Sequence, residues 1–154
     1  MSKLYSSLLR ATKHNEPWEY FTFGQCLSPQ QIEEIKTADI DRTQVLNDGT
    51  RSGYKDGVGK QNDKFREYIT KENAGKYPEL VKFIKELQTE PIRSMIAKLV
   101  GNKENFVGSY VRLEVLNDTQ GFWLKPHCDI PEKLISSLIY INISSFNFIY
   151  LLWC

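Results

Sequence analysis

Two residues with metal-binding side chains, His127 and Asp129, stand one residue apart in the stretch KPHCDIP, which runs from Lys125 to Pro131. Along an extended backbone residues i and i+2 face the same side. An imidazole nitrogen and a carboxylate oxygen can therefore converge on one point while Cys128 turns away. This pair of donors suits a borderline divalent ion such as Fe(II). Two histidines and one carboxylate on one octahedral face leave three positions for substrate and oxygen. Pro126 removes a backbone donor and stiffens the entry to the pair. The same spacing also serves a structural purpose, a histidine and an aspartate hydrogen-bonded to one another beside a turn.

The elements that must position the pair change character along the chain. "LSPQQIEEIKTADI" carries a helix start: Ser28 can cap, Pro29 suits the first helical position and Gln31 completes a capping box. "DKFREYI", residues 63–69, reads as a second short helix. "YPELVKFIKELQ" is a third, with Leu80, Phe83, Ile84 and Leu87 on one stripe. "PIRSMIAKLVGN" is a fourth, with Ile92, Met95, Ile96 and Leu99 at helical spacing and Gly101 placed to end it. The N-terminus can form a short amphipathic helix with Leu4, Leu8 and Leu9 on one side. The Gly- and Asp-rich stretch 46–63 reads as a loop and lacks the strand–glycine–helix order of a nucleotide site.

From Phe106 the period falls to two. Val111, Leu113 and Val115 point one way, Tyr110, Arg112 and Glu114 the other. "DTQG" is a turn, "FWLKPHCD" a second extended segment and "KLISSLIYINI" a third. Helices followed by antiparallel-looking strands define an α+β chain. A single domain over 1–154 is expected, mainly helical over about 1–104, with the first core strands over 105–142 and an atypical tail over 143–154.

Composition narrows the possible functions. A net charge of +1 with acids and bases interspersed speaks against binding nucleic acid through phosphate neutralisation. The N-terminus has no unbroken apolar core of the signal-peptide kind. Cys26, Cys128 and Cys154 are odd in number and unpaired in spacing, so a reducing, cytoplasmic setting is expected. Residues 134–154 are uncharged and of membrane-spanning length. Their serines and asparagines, with β-branched and aromatic enrichment, favour strands over an anchor.

The stretch "YVRLEVLNDTQGFWLKPHCDIPEKLISSLIYIN" resembles the Fe(II)/2-oxoglutarate-dependent oxygenase superfamily in its prolyl-4-hydroxylase-like branch. That family has a strand, a turn, His-x-Asp, a loop and then a strand ending in Tyr-Leu-Asn, which Tyr140-Ile141-Asn142 matches. "PWEYFTFGQCLSPQQIEEI" is similar to the family's opening strand and Leu-Ser-x-x-Gln helix. The resemblance covers most of residues 17–142. It implies N-terminal helices packed on an incomplete double-stranded β-helix, a jelly-roll-like core. It also implies Fe(II) held by His127 and Asp129, 2-oxoglutarate as cosubstrate, and hydroxylase-type oxidation of a small-molecule or peptidyl substrate. Tyr140 matches a tyrosine that hydrogen-bonds a 2-oxoglutarate carboxylate in some relatives; a core strand aromatic is the alternative. Arg112 could reach the cavity or a substrate, or stand solvated.

The family pattern continues with a glycine-containing turn, a distal histidine and a basic residue for the far carboxylate. Here "ISSFNFIYLLWC" follows instead. There is no histidine after His127 and no arginine or lysine after Lys133, and His14 matches no ligand position. The resemblance therefore implies a product truncated or frame-shifted after Asn142, with weak iron binding, impaired or absent turnover, and an apolar sheet edge open to self-association. A metal-free binding or scaffold domain on the same fold is the alternative.

Overall fold

The computed structural model describes residues 1–40, 64–101, 106, 108–118, 131–142 and 147–153. Helix α1 (Lys3–Leu9) opens at Ser2, whose side chain accepts the Tyr5 N–H. Leu4 and Leu8 are buried, but Leu9 is 57% exposed. Positions four apart share a helix face and positions five apart do not, so the expected three-leucine stripe narrows to two.

Helix α2 (Pro29–Lys36) has the capping box read from the sequence. The Gln31 N–H donates to Ser28 Oγ at 3.1 Å, and the Ser28 N–H donates to Gln31 Oε1 at 2.8 Å. Helix α3 (Pro78–Leu87) buries Leu80, Phe83 and Leu87. Its first turn lacks a side-chain cap of its own. Glu34 of α2 supplies one, its two carboxylate oxygens accepting the N–H groups of Glu79 (3.0 Å) and Leu80 (2.7 Å). A carboxylate at a helix N-terminus also meets the positive end of the macrodipole. Helix α4 (Glu90–Val100) buries Ile92 and Ala97 and stops at Gly101, whose φ of 71° is the left-handed geometry glycine adopts without a Cβ penalty.

The strands are β1 (Thr12–His14), β2 (Tyr20–Thr22), β3 (Lys64–Tyr68), β4 (Val111–Asp118), β5 (Ile135–Asn142) and β6 (Asn147–Trp153). β1 and β2 form an antiparallel pair. The remaining four make one sheet in the order β3-β4-β6-β5, antiparallel at every junction. The helix expected over 63–69 is therefore a strand. An isolated helix of about two turns nucleates poorly, whereas pairing with β4 satisfies the backbone groups along one side of β3.

The opening strand expected upstream of α2 is β2. The segment after Asn142 contributes β6, which lies inside the sheet between β4 and β5. Because β6 is antiparallel to both neighbours, β4 and β5 run parallel to each other. Asp118, the end of β4, and Ile135, the start of β5, thus lie at opposite ends of the sheet. The architecture is a helical layer on a small antiparallel sheet, α+β as read from the sequence.

The core lies between the sheet and the helices. Val111, Leu113 and Val115 of β4 meet Leu80, Phe83, Leu87 and Ile92 there, and Ile135, Ile139 and Ile141 of β5 pack against its margin. Phe83 and Leu113 are fully buried. Each such side chain contributes roughly 1.5–3 kcal/mol relative to exposure.

Candidate functional site

The sheet has two unlike faces, and strand alternation assigns each candidate residue to one of them. Ile135, Ser137, Ile139 and Ile141 of β5 are half-buried toward the helices, while Ser136, Leu138 and Tyr140 are exposed on the other face. Tyr140 thus stands away from the helical core, at 65% exposure, and is not the core aromatic that its strand position equally allowed. Leu116 of β4 lies in its row, since both residues register against Phe148 of β6. On β4 this open face is covered, with Glu114 and Leu116 both buried.

Arg112 shares the open face. Its guanidinium carbon lies 4.9 Å from the ring centroid of Tyr68 on β3, a cation–π contact between diagonal strand neighbours. Arg112 registers against Leu152 and Tyr140 against Phe148, four residues apart on β6. The two are therefore separated by about 13 Å along the strand direction and by an intervening strand. The structure puts Arg112 and Tyr140 on one face without bringing them together.

His127, Cys128 and Asp129 lie outside the described residues, so the geometry of the His-x-Asp motif is not part of the fold above. Its two ends are: β4 delivers the chain to the segment that contains it, and β5 receives it. His14 sits on β1, its Nε2 at 2.9 Å from Thr22 Oγ1 and its ring stacked on Tyr20 at 4.6 Å. Among the described residues no group of three or more His, Cys, Asp or Glu is placed to hold a metal ion. Among the same residues no helix is long and apolar enough to cross a membrane.

Two hollows flank β5. One, of about 550 Å³, runs along its outer edge between Phe21–Leu27 and Leu138–Ile141, with Tyr140 on its wall. The other, of about 410 Å³, lies toward the helices and is lined largely by aromatic and aliphatic side chains, Phe21, Phe83 and Ile139 among them. Cys26 borders both. Burial pushes its thiol up to about 11, so it is protonated at neutral pH and a poor nucleophile. No local pattern announces these hollows, because their walls come from distant stretches, including 4–8, 18–27, 83–100, Val111 and 134–141, and only the packed fold brings those together.

The chain matches no protein-family profile, no curated protein and no solved structure.

Proposed function

We propose that the chain is a dioxygenase-type domain of the Fe(II)/2-oxoglutarate class, in which His127 and Asp129 bind the metal and Tyr140 binds the cosubstrate. The observation that carries the reading is topological. β4 and β5 run parallel with β6 between them, and the motif falls in the segment that joins the end of β4 to the start of β5, at the opposite end of the sheet. A double-stranded β-helix needs such a return as a strand of a second sheet. The open face of β5, with Leu138 and Tyr140 exposed, is the face such a sheet would cover.

The donors fit ferrous ion in kind: one neutral imidazole nitrogen and one carboxylate oxygen. They fall one short of the usual three protein ligands, since the remaining histidine, His14, is engaged in the β1–β2 pair. With these two donors alone, metal would be held weakly. When bound, iron with 2-oxoglutarate supplies the oxidising chemistry, and the protein supplies orientation and shielding. In this reading the Tyr140 hydroxyl, exposed on β5, donates to a carboxylate of 2-oxoglutarate. A small-molecule or peptidyl substrate and a reducing, cytoplasmic location go with this reading.

A second reading, a binding or scaffold domain that takes no metal, is favoured by that two-donor count. The two separate in one titration. With Mn(II) in place of Fe(II), 2-oxoglutarate binds the oxygenase-type domain and raises its melting temperature, and Tyr140→Phe weakens 2-oxoglutarate binding without weakening the metal. A chain that responds to neither Mn(II) nor 2-oxoglutarate is the scaffold.

A further inference from the structure

We propose that the 410 Å³ cavity between the β1–β2 pair, the helices and β5 is a binding site for a neutral aliphatic molecule, an alcohol or ester with a chain of about a dozen carbons. Protein interiors are close-packed, with voids seldom larger than a water molecule. This hollow, bordered on its open side by Trp18 and Tyr20, is far larger than such a void and falls in the range that ligand sites occupy. Its walls include Phe21, Phe23, Phe83, Ile96, Val100 and Ile139. Such walls offer water few of the two to four hydrogen-bonding partners it needs, whereas an alkyl chain gains from every wall it touches.

The lining also sets the charge of the ligand. Among the described residues that line the cavity, the charged one is Glu19, whose carboxylate is paired with Lys13 at 2.6 Å. Among the described lining residues there is no lysine or arginine to hold a fatty-acid carboxylate. Ser137, on the same face of β5 as Ile135 and Ile139, is among the lining residues, and a serine hydroxyl suits an alcohol or ester oxygen. Trp18 and Tyr20, 70% and 38% exposed, border the cavity and present aromatic surface that a bound chain would cover. Tyr140 does not line this cavity, so the site is separate from the proposed oxygenase face and stands without that reading.

The test titrates the neutral fluorophore N-phenyl-1-naphthylamine into the full chain and displaces it with 1-dodecanol or, at pH 8, with laurate. Saturable binding is expected, with displacement by dodecanol at least about tenfold more effective than by laurate. Val100→Trp, which places an indole in the cavity, abolishes binding while circular dichroism shows the fold intact. Leu138→Lys, on the opposite face, leaves binding unchanged. Should Val100→Trp fail to fold, the unaltered chain gives a second measurement at Cys26, which borders the cavity: dodecanol slows its alkylation by N-ethylmaleimide several-fold, read by peptide mass spectrometry. The proposal is overturned by non-saturable binding, by equal displacement with laurate, by binding retained in folded Val100→Trp or lost in Leu138→Lys, or by unchanged Cys26 alkylation.

Discussion

The phenol of Tyr77, at the threshold of α3, donates a 2.6 Å hydrogen bond to Oε2 of Glu67 on β3. Both residues are buried, at 1% and 8% exposure. Asn73 Nδ2 donates to the other carboxylate oxygen at 3.1 Å, and Lys76 Nζ approaches Oε2 at 3.2 Å. A charge on the helix-facing side of the sheet is tolerable because three donors meet it. The pair pins the helical layer to β3. It also explains why residues 64–68 do better as a strand, in which Glu67 registers against buried Val115 and reaches Tyr77.

Removing the phenol hydroxyl leaves that carboxylate one donor short. Tyr77→Phe is expected to destabilise the chain by about 1–3 kcal/mol in urea unfolding. Burial first, and the hydrogen bond to Glu67 second, hold the Tyr77 hydroxyl well above the ordinary tyrosine range. A raised folded value means the folded state keeps its proton longer than the unfolded one. The stabilisation is whole below pH of about 10 and is lost as pH climbs through the folded value. Stability measured from pH 9 upward therefore falls more steeply in the parent than in Tyr77→Phe.

Cys26 is predicted to be sluggish toward thiol reagents. With its value raised to about 11 by burial, the thiolate fraction at pH 8 is on the order of one in a thousand. In a Cys128→Ser/Cys154→Ser background, native Cys26 should react with Ellman's reagent about a hundredfold more slowly than after unfolding in urea. Equal rates would show that the segment around Cys26 opens readily.

Helix capping offers a local test. Ser28→Ala removes the acceptor for the Gln31 N–H and is expected to cost about 1 kcal/mol. Glu34→Gln weakens the charged cap on α3, and Glu34→Ala removes it, with losses of about 1 and 2 kcal/mol by thermal unfolding.

The two faces of β5 predict opposite outcomes for neighbouring substitutions. Ile139→Lys drives a charge toward the helical core and should cost at least about 3 kcal/mol. Leu138→Lys, at 47% exposure, should stay within about 0.5 kcal/mol of the parent. It should also reduce any self-association through the β5 edge, which carries no charge and no proline from Ile135 to Asn142. Analytical ultracentrifugation reads that difference.

Much of the helical layer was legible because its signals are local. Ser28-Pro29-Gln31 specified a cap three residues wide, and Gly101 a stop. The stripes of α3 and α4, and the alternation of Val111, Leu113 and Val115, follow from one period each. What failed depended on partners distant in sequence. "DKFREYI" has no local feature announcing β4 as its neighbour, and nothing in "NFIYLLW" says that it enters the sheet between two strands that precede it. Leu9 was misplaced by counting apolar residues without their angles. For the candidate site, the side of the sheet that Tyr140 occupies followed from strand alternation once β5 was paired. The cavity walls, drawn from several distant segments, had no one-dimensional signature.

The most direct measurement is an anaerobic metal titration of the purified 154-residue chain with 2-oxoglutarate present, using Mn(II) read by electron paramagnetic resonance. The oxygenase reading predicts one saturable, weak equivalent of bound metal, lost in both His127→Ala and Asp129→Ala while each variant keeps its melting temperature without metal. Binding that is absent from the parent, or undiminished in the two variants, would contradict it.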